Sequence, residues 1–150
     1  MECKKVNKHI RLVGMKGKGT FDSFGTEVPK AAQQFLARAD EIKHRSGTEV
    51  AIFEPKKDEN HLEGSYYVGM IVDQPLTDVP SGMEFIELSG EYVMTRGNMD
   101  QIGSLHHNLV KWADENGYTH ELDSYIVETY HPLENGGEEV EIYLPVLAYT

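Results

Sequence analysis

Apolar residues recur along this chain with two different periods, and the changes of period divide it into elements. In residues 6–16 the apolar positions Val6, Ile10, Leu12 and Val13 lead to Gly14 and predict a first strand; Gly17, Gly19 and Gly25 then predict a flexible connection. Val28, Ala32, Phe35, Ala39 and Ile42 recur at spacings of three and four, with Pro29 suited to a first helical turn and Gly47 to the position just past the end. An amphipathic helix is expected there. Residues 50–54 and 66–72 predict two short strands separated by a charged loop over 56–63.

Beyond a loop over residues 75–82 the same order begins again. Residues 84–96 predict a long strand, with a bulge or kink expected at Ser89 and Gly90. Asn98, with Gln101 three residues later, starts a second helix in the manner of a capping box; its stripe is Ile102, Leu105, Leu109 and Trp112, and Gly117 ends it. Residues 124–130 and 140–146 alternate β-branched or aromatic residues with polar ones around Asn135, Gly136 and Gly137, which predicts a hairpin with a long loop. The chain therefore reads as strand-helix-strand-strand written twice, over 8–72 and 84–146. A shift of 74 lays residues 50–54 on 124–128 and sets Tyr67 and Gly69 on Glu141 and Tyr143. The expected fold is α+β, one domain over residues 1–150. Its duplicated units are related by a pseudo-two-fold axis, with antiparallel sheets, helices on one side and a ligand cleft on the other.

Period two also sorts the polar groups. Glu128 shares a strand face with Ile126 and Tyr130; Glu141, Tyr143 and Pro145 share one face of the last strand, opposite Val140, Ile142, Leu144 and Val146. Pairing of the two strands is expected to bring Glu128, Glu141 and Tyr143 onto one surface, with Tyr67 assigned to the same side by the shift of 74. From the residues alone Glu128 reads first as a solvated strand residue, because carboxylates are rarely buried. Set among apolar and aromatic groups, it would instead favour a bound cation, which aromatic faces also attract. Glu141 and Tyr143 either frame a ligand or hydrogen-bond each other. Tyr92 reaches the cleft or not depending on the bend at Gly90, and Trp112 lies on the helical stripe as core or as cleft border.

Composition narrows the chemistry. The formal net charge is −11, and it is uneven: residues 1–75 hold 12 Lys and Arg against 11 Asp and Glu, residues 76–150 only 2 against 14. Such a field repels nucleic-acid phosphates and favours cations, or serves solubility alone. Cys3 is the single cysteine, so no internal disulfide forms, which suits a reducing cytoplasm. No apolar run approaches the roughly 20 residues of a membrane helix. His106 and His107 are adjacent, about 100° apart on a helix, and the other histidines are scattered, so no metal motif is expected. Neither a phosphate-binding glycine loop nor a nucleophile elbow is present, and no cofactor is expected.

The Ile126-Val-Glu-Thr-Tyr130 strand followed by Glu141-Ile-Tyr-Leu-Pro-Val146 resembles the GyrI-like small-molecule-binding domain, the effector-binding module at the C-terminal end of many AraC-type and MerR-type bacterial regulators. Ser89-Gly-Glu-Tyr-Val93 leading to Arg96-Gly97, the helix from Leu109 to Gly117, and Tyr66-Tyr-Val-Gly-Met70 agree with it. The resemblance implies a pocket for lipophilic cations, lined in multidrug-sensing members by a glutamate at the position of Glu128 and by the Glu-x-Tyr of Glu141 and Tyr143. It also implies two other roles, hydrolysis of cyclopropane-bearing genotoxins using Glu128, and gyrase inhibition through a protein partner. No helix-turn-helix segment fits before residue 8, so the expectation is a stand-alone cytoplasmic binding domain with no direct nucleic-acid contact.

Overall fold

The computed structural model describes residues 2–148. Six antiparallel strands close into a barrel: β1 (Cys3–Thr20), β2 (Arg45–Phe53), β3 (Glu63–Val72), β4 (Glu84–Asn98), β5 (Ile126–Pro132) and β6 (Glu138–Pro145), in the order β1-β3-β2-β5-β6-β4. Two helices, α1 (Phe24–Leu36) and α2 (Ile102–Glu115), each follow the first strand of a strand-helix-strand-strand run. The α+β class and the antiparallel sheet follow the period changes read from the chain.

Two strands differ from their expected form for identifiable reasons. β1 does not end at residue 16 in a flexible connection but continues to Thr20, because Gly17 and Gly19 pair with Tyr66 and Gly64 of β3. The Tyr66 ring lies where a Gly17 side chain would stand, so the aromatic covers the glycine and the strand persists. Near the middle of β1, Gly14 faces Gly69; a Cβ on Gly69 would collide with the Val13 carbonyl oxygen, and one on Gly14 would lie 2.8 Å from the Val68 oxygen. Only glycine lets the two backbones approach this closely. β4 carries no bulge at Ser89 and Gly90, since its register on β1 runs unbroken from Cys3↔Thr95 through Lys8↔Gly90 to Gly14↔Glu84.

α1 begins four residues before the expected Val28 and ends at Leu36, leaving Ala39 and Ile42 to a 3-10 turn over Ala39–Glu41 and its end. Tertiary packing moves its start: the Phe24 ring meets Tyr66 edge-on at 5.3 Å and approaches Phe53 at 6.0 Å, which holds the preceding turn against the sheet. Pro29 is therefore inside the helix rather than in its first turn, and Gly47 falls in β2. Asn98 Oδ1 accepts the Asp100 N–H at 2.9 Å before α2, and Gly117 takes a φ of +79° after it.

Burial divides into three clusters. α1 packs with Val13, Ala51, Tyr66, Val68 and Met70, and α2 with Val93, Val140, Ile142 and Leu144. The third cluster, which includes Leu12, Ile52, Tyr67, Tyr92, Val127 and Tyr143, contains no helical residue and fills the barrel lumen. Both helices thus lie outside the barrel, over opposite halves of it, and β2 and β5 form the floor between them.

Candidate functional site

Period two sends Ile126, Glu128 and Tyr130 of β5 and Phe53 of β2 out of the lumen, onto the floor between the helices. A cavity of about 420 Å³ opens above them, within the usual size range of small-molecule sites. Phe24, Val28 and Pro29 of α1 form one wall, and Ile102 and His106 of α2, with Met99 before it, form the other. An adjoining groove of about 220 Å³ shares Val28, Pro29, Met99 and Tyr130 with this cavity and carries Glu49 and Glu138 on its lining.

Glu128 is the buried charge of the site, its side chain 7% exposed. Its two oxygens are held by different groups: Tyr130 Oη donates to Oε1 at 2.6 Å, and His106 Nε2 lies 2.5 Å from Oε2. Because an ionised carboxylate only accepts, Nε2 donates here. Burial pushes the Tyr130 hydroxyl well above its ordinary value, and the Glu128 charge and hydrogen bond push it the same way. Tyr130 therefore remains a neutral donor, and it cannot neutralise Glu128. His106 is 35% exposed at its side chain and reaches the carboxylate from α2.

The expected grouping on one surface does not form. Glu128 pairs with Ile142 and Glu141 with Thr129, so the two carboxylates leave opposite faces of the β5–β6 hairpin. Ile52 pairs with Tyr67 in the first hairpin, and a uniform shift of 74 would set Ile126 opposite Glu141; Val127 instead pairs with Tyr143, three residues out of that frame. The turn decides this. Leu133 N–H bonds to the Gly137 oxygen, Gly136 N–H bonds to the Leu133 oxygen, and Gly136 takes a φ of +89°. Tyr67, Tyr92 and Tyr143 are buried in the lumen, where Tyr92 and Tyr143 meet edge to face at 6.1 Å. Burial, then Glu84 as hydrogen-bond partner and charge, pushes the Tyr67 phenol up to about 12. Trp112 stacks on Tyr118 at 5.8 Å and belongs to the packing under α2, away from the cavity.

Glu141 stands at one mouth of the lumen, where a second cavity of about 490 Å³ also touches Lys8, Thr129, His131 and Tyr143. It accepts Tyr143 Oη at 2.7 Å and Arg96 Nη1 at 2.8 Å. Burial pushes this carboxyl up, but these two bonds and the His131 and Arg96 charges outweigh it and hold the group below its ordinary value. Of the six residues selected from the chain, only Glu128 borders the inter-helix cavity. The partners missed were His106 and the phenylalanines Phe24 and Phe53; Tyr130 was legible as a neighbour of Glu128 on one strand face. Among the described residues no three His, Cys, Asp or Glu side chains converge as metal ligands, and no helix is long and apolar enough to cross a membrane.

The chain is an α+β protein built as a closed antiparallel barrel with a cavity between two external helices. The GyrI-like small molecule binding domain matches residues 2–147, and the chain belongs to that family. No curated protein matches the sequence. Among solved structures, SAV2435 bound to tetraphenylphosphonium superimposes with a TM-score of 0.73 at 15% identity, over 99% of this chain and 95% of that one. The integron cassette protein VCH_CASS2 of Vibrio cholerae gives 0.67 at 12% identity, over 97% and 95%. A hydrolase from Listeria innocua gives 0.59 at 16% identity, over 97% and 92%. At these identities the likeness establishes the common fold.

Proposed function

We propose that this domain binds amphipathic, aromatic cations in the cavity between α1 and α2, with Glu128 as their counter-charge. One observation carries the reading: a carboxylate 7% exposed at the floor of a cavity walled by Phe24, Val28, Pro29 and Ile102. Such a charge in apolar surroundings needs partners; Tyr130 and His106 supply them within the protein, and a ligand cation would take the place of His106. The rings of Phe24, Phe53 and Tyr130 offer aromatic surface for flat groups and for cation-π attraction. The binding of tetraphenylphosphonium by SAV2435, a protein of the same fold, supports this class of ligand. Titration with tetraphenylphosphonium and with tetraphenylborate, matched in shape and opposite in charge, tests it. At least about tenfold tighter binding of the cation is expected, equivalent to about 1.4 kcal/mol, and equal affinities would contradict the proposal.

The contact between Glu128 and His106 favours a second reading, hydrolysis of a strained electrophile such as a cyclopropane. A carboxylate and an imidazole in hydrogen-bond contact can take a proton from an attacking water and return it to the opened ring. The hydrolase among the structural neighbours shares the fold. Mass spectrometry of a cyclopropane-bearing substrate would show a gain of one water, abolished by Glu128→Gln; an unaltered substrate would eliminate this reading.

A further inference from the structure

We infer that His106 is a built-in cation that occupies the counter-charge of the cavity until a ligand displaces it, and so selects which ligands bind. The inference rests on the cation reading above. It comes from an asymmetry between the two groups that hold Glu128. Tyr130 binds Oε1 from the same strand and stays neutral. His106 binds Oε2 from α2, on the other side of the cavity, and is the only one of the two able to match the carboxylate's charge.

The exposures show which partner can leave. Glu128 is 7% exposed and His106 is 35% exposed, so the carboxylate is enclosed while the imidazole already borders solvent. His106 occupies the second turn of α2, one turn beyond Ile102 and Gly103, which line the same cavity. A rotamer change at His106 would vacate Oε2 without moving the backbone.

Few other charges face the imidazole. β5 supplies Glu128 and the neutral Tyr130; the segment leaving β2 supplies Glu54 and Lys56 on the cavity lining. Glu54 is already engaged by the Ser65 N–H at 2.9 Å and by His61 at 3.2 Å. α1 contributes only Phe24, Gly25, Val28 and Pro29 to the lining, none of them charged. On α2 itself the residues one turn away are Ile102, Gly103, Leu109 and Val110.

The competition has a fixed sign. A protonated His106 gives Glu128 its counter-charge internally, so a ligand cation must replace an ion pair. A neutral His106 leaves only a hydrogen bond to be replaced. Ligand cations therefore bind better as pH rises through the range in which imidazoles lose their proton. Neutral ligands, which gain nothing from the freed carboxylate, do not share this dependence.

Calorimetric titration of wild type and His106→Gln with tetraphenylphosphonium, at about pH 5.5 and about pH 8, is decisive. Wild type is expected to bind about tenfold more tightly at the higher pH, equivalent to about 1.4 kcal/mol. His106→Gln should bind equally at both, within about twofold, and more tightly than wild type at the lower pH. A dependence that survives in the variant overturns the inference. The absence of tetraphenylphosphonium binding in both proteins at both pH values sinks the cation reading and this inference together, whereas binding without pH dependence in wild type sinks this one alone. A ligand-free measurement reads the pairing directly: in NMR at fixed pH, Glu128→Gln should move the His106 ring resonances. Unmoved resonances overturn the pairing.

Discussion

Glu128 and Glu141 lie on paired strands, one residue out of register with each other, and they serve different compartments: Glu128 faces the inter-helix cavity and Glu141 the mouth of the barrel lumen. Each has its own tyrosine two residues along the strand, Tyr130 at 2.6 Å and Tyr143 at 2.7 Å. What differs is the cation. Arg96 is bonded to Glu141, while among the described residues the basic group bonded to Glu128 is His106.

Glu128→Gln is expected to leave the fold intact, because a neutral amide of the same shape is easier to bury and its oxygen still accepts from Tyr130. Cation binding should weaken by about 1–3 kcal/mol, the range for losing a charged hydrogen bond or ion pair. Circular dichroism together with calorimetric titration checks both parts. Unchanged affinity would remove Glu128 from the binding site.

At Glu141 the effect is on stability and depends on pH. Its folded carboxyl lies below its ordinary value, so it stabilises the fold above the unfolded-state pKa of about 4.3, and that contribution disappears as pH falls through the folded value. Tyr143→Phe removes one of the bonds responsible and should cost about 1–2 kcal/mol near neutral pH, with a smaller cost in acid. Urea denaturation of both proteins at about pH 7 and about pH 3.5 would show it. A cost that grows in acid has the wrong sign.

Glu49 behaves in the opposite way, since burial first and the Glu138 charge second raise its carboxyl above the ordinary value. A raised carboxyl opposes folding above its folded pKa, and the opposition is relieved as pH falls through that value. Glu49→Gln should therefore stabilise the protein at neutral pH by about 0.5 kcal/mol or less, the scale for a partly solvated charge pair. Thermal melts that show no gain at neutral pH, or a gain only in acid, would refute this.

Gly69→Ala addresses the barrel itself. The new methyl would meet the Val13 carbonyl, a backbone atom that cannot rotate aside. A loss at the upper end of about 1–3 kcal/mol, the cost of overpacking, is expected in chemical denaturation. Gly90→Ala, where nothing lies within 4 Å of the added atom, is the control and should fall within about 0.5 kcal/mol of wild type.

Local periodicity determined a good deal. The alternation in residues 124–130 and 140–146 placed Glu128 with Ile126 and Tyr130, and Glu141 with Tyr143, on the faces they occupy. The stripe Ile102, Leu105 and Leu109 located α2, and the order of elements was legible because helix and strand periods differ within a few residues. Such patterns say which side chains share a face. They do not say what that face meets. Whether Glu128 and Glu141 share a surface depends on a one-residue choice of register, and the turn over residues 133–137 makes that choice through its hydrogen bonds and the positive φ of Gly136. Closure of the barrel then turned Tyr67, Tyr92 and Tyr143 into lumen core. His106 lies 22 residues before Glu128 in the chain, and only the packing of α2 over β4 and β6 brings its ring to the carboxylate on β5. Contacts of this kind arise from the mutual burial of surfaces distant in sequence, which one strand's or one helix's pattern does not encode.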